Sequence, residues 1–292
     1  MSTATLPRET RRKHVSGKKR ALTGTQYLLL VLFAAIILTP LYVVLVTSFK
    51  SPAEYSSLTA WSFPKQFFVG GWTAAWTALA PAMGRSLVLA VVASVVSSFL
   101  GSMNGYAFSK LRFPGATVVF TLFLFGMFIP YQAILIPLQS LMIQVQSTAE
   151  WMTGIPTLIV VHVIYGIPIC TLIFRNYYAT ALPDEIIEAA RVDGAGPLRI
   201  YRTIVLPLSP SAFVVTLIWQ FTSAWNDFLF ALFLTNRNTG PVTYALQELA
   251  SAQNPDYSRM MAGVLIASLP TLIVYIALGK YFVAGLMSGS VK

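Results

Sequence analysis

The chain has 292 residues, 56% of them apolar and 10% charged, where an ordinary soluble domain has about a quarter of its residues charged. Such a chain cannot cover its own surface with polar groups, so the composition excludes a soluble globular protein and points to a membrane. The net charge is +10, with one cysteine, Cys170, and two histidines, His14 and His162, which excludes a disulfide framework, a thiolate cluster and a histidine-based metal site.

The chain opens with a basic tail, residues 1–26, carrying Arg8, Arg11, Arg12, Lys13, Lys18, Lys19 and Arg20. Charge gathered just before an apolar run reads as a topology signal lying on anionic lipid, and no nucleic-acid partner is expected. Roughly 20 apolar residues cross a hydrocarbon core. Six stretches meet that length: Tyr27–Phe49, Ser86–Ser109, Thr117–Leu141, Ile155–Phe174, Ser211–Thr235 and Met260–Gly279. The first, 27–49, is too long for the apolar part of a signal peptide, and Thr47-Ser48-Phe49-Lys50 is no small-residue cleavage site. It reads as an uncleaved helix. An extracytoplasmic loop, 50–85, follows, with Trp61, Trp72 and Trp76 expected at the membrane interface.

The core of the fold is expected over 86–283, with a short tail at 284–292. A tight turn at Lys110–Gly115 separates the second and third spans. Pro130 and Pro137 interrupt the third span, and freed carbonyls are tolerated in a membrane where they line a cavity or meet a neighbour. Tyr131 and Gln132 therefore either line a path or flank an ordinary proline kink. Asn104 and His162 read as interhelical hydrogen-bonding groups, and Cys170 as a small buried apolar residue.

The connection 181–210 is long for a helical bundle and carries folding signals. Pro183 suits a first helical turn, and Asp184 and Glu185 suit the positive end of a helix. Gly194 stands where a left-handed cap belongs. Pro197 can open a second helix along which Leu198, Tyr201 and Val205 recur at helical spacing, and Leu206-Pro207 and Pro210 end it. Ile186, Ile187 and Leu198 are expected to supply burial area, while small Ala189 and Ala190 allow close backbone approach. Spacing alone leaves two readings open: a helix pair docked on a partner, or one lying in the lipid interface.

Asp227, in the fifth span, is the one charge inside any of the six. Intramembrane charges mark function. Three readings fit it: capping or ordering helices near the outer mouth, lining a solute path with Asn226 and Trp225, or relaying protons. Positive charge sets orientation. With the amino terminus inside, only Lys50, Lys65, Arg85, Arg237 and Arg259 of the twenty basic residues fall outside, so both termini are expected in the cytosol.

The run Glu188-Ala189-Ala190, Gly194 and then Ile204-Val205-Leu206-Pro207 resembles the coupling motif of binding-protein-dependent ABC importers. Four further segments resemble the maltose-type, MalG-like branch of carbohydrate permeases: Asn104–Gly115, Ile129–Pro137, Trp225–Phe228 and Tyr281–Leu286. The resemblance covers about residues 25 to 292. It departs mildly at Tyr201, where phenylalanine is frequent, and that change is expected to leave docking undisturbed.

The resemblance implies an all-α integral membrane protein, a type I ABC importer transmembrane domain of six helices with a cytosolic coupling helix pair between the fourth and fifth. It implies a second permease subunit, two ATPase subunits, an extracytoplasmic solute-binding protein and a carbohydrate-type substrate, in a bacterial or archaeal cytoplasmic membrane. Glu188, Ala189, Ala190, Gly194, Ile204, Leu206 and Pro207 are then the residues that couple to the ATPase. Tyr131, Gln132, Asn226 and Asp227 are the candidate path residues. The segment Ala250–Tyr257 either reaches toward the binding protein or is an unspecialised turn. The sequence has no Gly-x-x-x-x-Gly-Lys-Ser/Thr phosphate loop, so no cofactor is expected on this chain, and ATP and Mg belong to the partner ATPase subunits. The alternative is an ion-coupled secondary transporter, which calls for several intramembrane ionisable groups. A membrane-embedded enzyme lacks any fitting constellation in the spans.

Overall fold

The computed structural model describes residues 17–56, 58–251 and 256–288. Most of the basic tail and residues 252–255 of the Ala250–Tyr257 segment lie outside them. In chain order the helices are α1 (Gly17–Thr47), α2 (Gly70–Lys110), α3 (Ala116–Phe128), α4 (Tyr131–Thr148), α5 (Ile155–Ala181), α6 (Asp184–Val192) and α7 (Pro197–Ile200). A π turn, Tyr201–Val205, continues α7. Then come α8 (Pro210–Asn226), α9 (Leu229–Leu234), α10 (Val242–Ala250) and α11 (Tyr257–Ser288).

Helices α1, α2, α5 and α11 are each long and apolar enough to cross a membrane. The expected third and fifth spans are broken. The chain bends by 94° between α3 and α4, at Ile129-Pro130, where proline leaves the preceding residue extended; Pro137 is carried inside α4. The expected fifth span divides into α8 and α9 at Asp227-Phe228. A further bend of 90° separates the α7–π-turn segment from α8. Among the described residues the architecture is all-helical, with four spanning helices and up to six spans when each bent pair, α3 with α4 and the α7–π-turn segment with α8, is taken as one.

Helix α2 begins at Gly70 rather than Ser86 and runs for 41 residues, roughly 60 Å. Trp72 and Trp76, expected in a loop, therefore ride on its first turns. Trp72 packs on Phe49 with ring centroids 5.4 Å apart. Lys50, also expected in that loop, is fully buried. Its ammonium donates to the carbonyls of Thr59 and Ala60 and so folds the loop back over the end of α1.

In lipid, burying apolar surface between helices gains little, and association rests on close contact and hydrogen bonds. The longest contact in the bundle shows this. Helix α2 turns Ser94, Ser97, Ser98, Gly101, Ser102 and Gly105 toward the interior, all buried. Gly101 and Gly105 lie one turn apart against α5. A Cβ on Gly101 would stand 2.8 Å from the Cys170 carbonyl carbon, and one on Gly105 would stand 2.8 Å from the Arg175 amide nitrogen. Cys170 is accordingly a small buried residue, as the sequence suggests. By contrast, α1 presents Leu28, Leu32, Ile36 and Ile37 outward, an apolar surface suited to lipid.

The α2–α5 contact yields a paired test. Gly101→Val presses a branched side chain on backbone and should destabilise by about 1–3 kcal/mol, read as a lower thermal midpoint in detergent. Gly126 in α3 has no atom within 4 Å of an added Cβ, so Gly126→Ala should leave the midpoint unchanged or raise it. Equal loss in both would contradict the close-packing account.

Candidate functional site

The connection between α5 and α8 folds as helix, glycine turn, helix. Gly194 has φ +79°, a conformation that costs an ordinary residue roughly 1–2 kcal/mol. The turn closes through two bonds of a left-handed cap: Ala195 N–H to Ala190 O at 2.9 Å and Gly194 N–H to Arg191 O at 3.0 Å. The second helix does not finish as an α-helix. Leu206 N–H reaches back five residues to Tyr201 O, 2.8 Å, and Pro207, which has no N–H, stops the pattern.

This widened turn decides which residues face inward. Ile187, Ile200, Tyr201 and Val205 are buried against Tyr106, Phe174, Tyr178, Leu182 and Ala212 of the bundle. Ile204 and Leu206 pack at the edge of the same cluster. Leu198, expected on the buried stripe, is instead 58% exposed, and Ile186 is exposed as well. A π turn advances the chain by more than four residues, so Ile200 takes the inward position that α-helical spacing gives Leu198. Glu188, Ala189, Gly194 and Pro207 are exposed, Ala190 is half-buried, and Val192 stands 87% exposed. The pair thus has one face fixed to its own bundle and an opposite face, partly apolar, that the described residues do not cover.

Two sets of polar contacts hold the fixed face, and sequence reading identified neither. Ser102 Oγ on α2 lies 2.7 Å from Tyr178 OH on α5 and 3.0 Å from Tyr201 OH on the π turn. Tyr178 OH lies 2.9 Å from Ser209 Oγ. All four hydroxyls are buried, and each supplies both a donor and an acceptor. At the rim, Lys110 Nζ donates to Leu182 O at 2.6 Å and pairs with Asp184, while Arg191 Nη2 donates to Lys110 O at 2.8 Å. The sequence signal available was hydroxyl residues repeated inside an apolar span, but the partners of Ser102 are 76 and 99 residues away in the chain.

The candidate path residues divide. Tyr131, Asn226 and Asp227 line one cavity of about 600 Å³, together with Met127, His162, Tyr165, Trp219, Gln220 and Ser223. Gln132 is exposed and outside the cavity wall. Trp225 is also outside it: it is buried, stacked on Phe221, and donates from Nε1 to Ala267 O at 3.0 Å. The Asp227 carboxylate faces the cavity and also caps α9, accepting from Phe230 N–H at 3.4 Å and Ala231 N–H at 3.2 Å. His162, read from sequence as an interhelical group, lies beside it with Nε2 3.4 Å from Asp227 Oδ2. Gln220 Nε2 donates to the His162 carbonyl at 2.8 Å. Sequence reasoning missed Trp219, Gln220 and Ser223. They recur at helical spacing before Asn226 and Asp227, a stripe legible in α8.

The rim clamp has a pH signature. Lys110, first by its hydrogen bond and then by its charge, holds the Asp184 carboxyl below the ordinary carboxylate range. A depressed folded pKa gives stability that is present above the unfolded value and is lost as pH falls through the folded one. The protection of amides over residues 184–192, with exchange corrected for its intrinsic pH dependence, should therefore fall on acidification through and below the ordinary carboxylate range. Lys110→Met should produce the same loss of protection at neutral pH and abolish the acid step. Protection that ignores both pH and the substitution would contradict the clamp.

A family model described as the binding-protein-dependent transport system inner membrane component matches residues 98–287. The chain is 33% identical over 281 residues to the xylose/arabinose import permease protein XacI of Haloferax volcanii, covering 89% of this chain and 91% of that one. It is 45% identical over 190 residues to the probable ABC transporter permease protein PH1216 of Pyrococcus horikoshii, covering 64% and 67% respectively. In fold it resembles a chain of a bacterial ABC transporter involved in the import of the acidic polysaccharide alginate, with TM-score 0.76 at 20% identity over 91% of this chain and 98% of that one. The six spans, the helix–glycine–helix connection and these matches agree: the chain belongs to the family of binding-protein-dependent transport system inner membrane components and is a multi-pass permease subunit of an ABC importer.

Proposed function

We propose that this permease forms, with a second permease subunit, the path of a sugar or related carbohydrate delivered by an extracytoplasmic binding protein. Two separate ATPase subunits, which hold ATP and Mg, drive it by gripping the exposed face around Glu188, Ala189, Ala190 and Gly194. The observation that carries this reading is the division of the α6–α7 pair into a face locked on the bundle and an uncovered face beside a glycine turn. A rigid element of that kind passes movement of a docked partner into the helices it is seated on. Exposed Ala189 lets a partner backbone come close, exposed Val192 and Leu198 offer apolar area, and Glu188 offers a charge for a basic group.

The substrate class is supported by relatives named for sugars. They include the xylose/arabinose permease, the melibiose/raffinose/stachyose import permease MelC of Bacillus subtilis and the glucose import permease GlcU of Saccharolobus solfataricus. The excess of basic residues at the amino terminus and in the α5–α8 connection supports a cytosolic position for both termini and for α6–α7 in a bacterial or archaeal cytoplasmic membrane. An ion-coupled carrier is not favoured. Asp227 already has a role as the cap of α9, and such a carrier leaves the α6–α7 pair without a purpose.

The test is ATP-driven uptake by the reconstituted transporter with its binding protein. Gly194→Asp adds a charged side chain to the left-handed turn on the exposed face and should abolish uptake while the subunits still assemble or assemble weakly. Normal uptake by that variant would contradict the coupling role. Uptake that survives ATP depletion but stops with an uncoupler would contradict the ABC reading.

A further inference from the structure

The cavity bounded by α3, α4, α5, α8 and α9 holds one acid and no lysine or arginine, so its one formal charge is the Asp227 carboxylate. Its polar groups are those that read hydroxyls: Gln220, Ser223, Asn226, Asp227 and His162. Its remaining wall is largely aromatic, with Tyr131, Tyr165 and Trp219. A volume of about 600 Å³ falls within the range of small-molecule sites, roughly 300–1,000 Å³.

One atom in this wall is unsatisfied. The His162 side chain is 5% exposed, and its Nε2 has no hydrogen-bond partner among the described residues. Its nearest acidic oxygen, Asp227 Oδ2, is at 3.4 Å and not aligned for a hydrogen bond. A buried polar atom left unpaired costs free energy until something fills the role. A hydroxyl carries one donor and two acceptor lone pairs. Placed in the cavity within reach of both atoms, it donates to the carboxylate and accepts from the imidazole N–H. An anionic group at the same place meets a carboxylate at close range with no lysine or arginine in the wall to offset it, and in a poorly screened cavity that repulsion is strong.

We propose that this cavity is a solute subsite on the present chain, that the His162–Asp227 pair reads one hydroxyl of an uncharged polyhydroxylated solute, and that the subsite rejects sugar acids and sugar phosphates. This rests on the permease reading above. The aromatic wall supplies apolar surface for the C–H faces of a sugar ring, and Gln220, Ser223 and Asn226 supply further partners for its hydroxyls.

The assembled transporter in detergent is titrated with maltose and raffinose as neutral probes and with glucuronate and glycerol 3-phosphate as anionic ones. The signal is the tryptophan fluorescence that disappears in Trp219→Phe, since Trp219 stands in the cavity wall. The neutral probes should change that signal saturably, and the anionic probes should leave it unchanged at concentrations ten times higher. His162→Phe should weaken the neutral probes by tenfold or more, while His162→Gln, which keeps a hydrogen-bonding group, should weaken them less. Wild-type protein alone decides the charge claim if either variant fails to assemble. Anionic probes that act at equal or lower concentration, or neutral probes that give no response, overturn the proposal. ATP-driven uptake is measured separately: a complex that binds neutral probes but shows no such uptake sinks the permease reading and leaves the subsite standing.

Discussion

Four hydroxyls, on Ser102, Tyr178, Tyr201 and Ser209, meet in the interior where α2, α5, the π turn and the start of α8 converge. Much else depends on this meeting. A membrane bundle has little hydrophobic force to hold helices together, so buried polar contacts and close backbone packing carry the association. Here they do so where the α6–α7 pair joins the spans. Ser102, Tyr178 and Ser209 each serve two neighbours and Tyr201 ends the chain on Ser102, so removing an inner member leaves buried hydroxyls unpaired. The pair is therefore seated on the bundle as a single piece, with Lys110 and Arg191 clamping its rim.

The cavity depends on a second constraint, the satisfaction of backbone groups where spans break. Pro130 ends the straight course of α3, and Asp227 interrupts the course of α8. Both breaks border the cavity, as irregular backbone in a membrane requires. Asp227 resolves one of them by capping α9 with its own carboxylate, and the same carboxylate then gives the cavity its only charge. Gln139 ties α4 to α9 by donating to Phe233 O at 2.7 Å, so the two broken segments are fastened to each other beside the cavity.

Features set by local chemistry were legible in the sequence. Gly194 stood at a cap because only a residue without Cβ takes that conformation readily, and the cap is there with both of its bonds. The six apolar stretches and the signals at Pro183 and Pro197 were local in the same sense. The start of α2 was not legible, since hydropathy reports the solvent a segment prefers and not whether its backbone is helical. Gly70–Arg85 is helix without being apolar throughout. α-Helical spacing puts Leu198 on the buried face, but the π turn at Tyr201–Val205 shifts the register and leaves it exposed. Gln132 and Trp225 were adjacent in sequence to cavity residues but point elsewhere, because neighbours on a helix differ by about 100° in direction. The hydroxyl cluster and the His162–Asp227 pair join residues far apart in the chain, and no spacing rule reaches them.

The central claim is that the α6–α7 pair keeps one face on its own bundle and gives the other to the ATPase. Cysteine cross-linking tests it in the assembled transporter, in a chain whose buried Cys170 has been replaced by serine. Cysteines at Ala189, Val192 and Leu198, on the uncovered face, should cross-link to the ATPase subunits, and a cysteine at Ile187, which is 2% exposed, should not. Cross-linking from Ile187 as strong as from the uncovered face, or none from Ala189, Val192 and Leu198, would contradict the account.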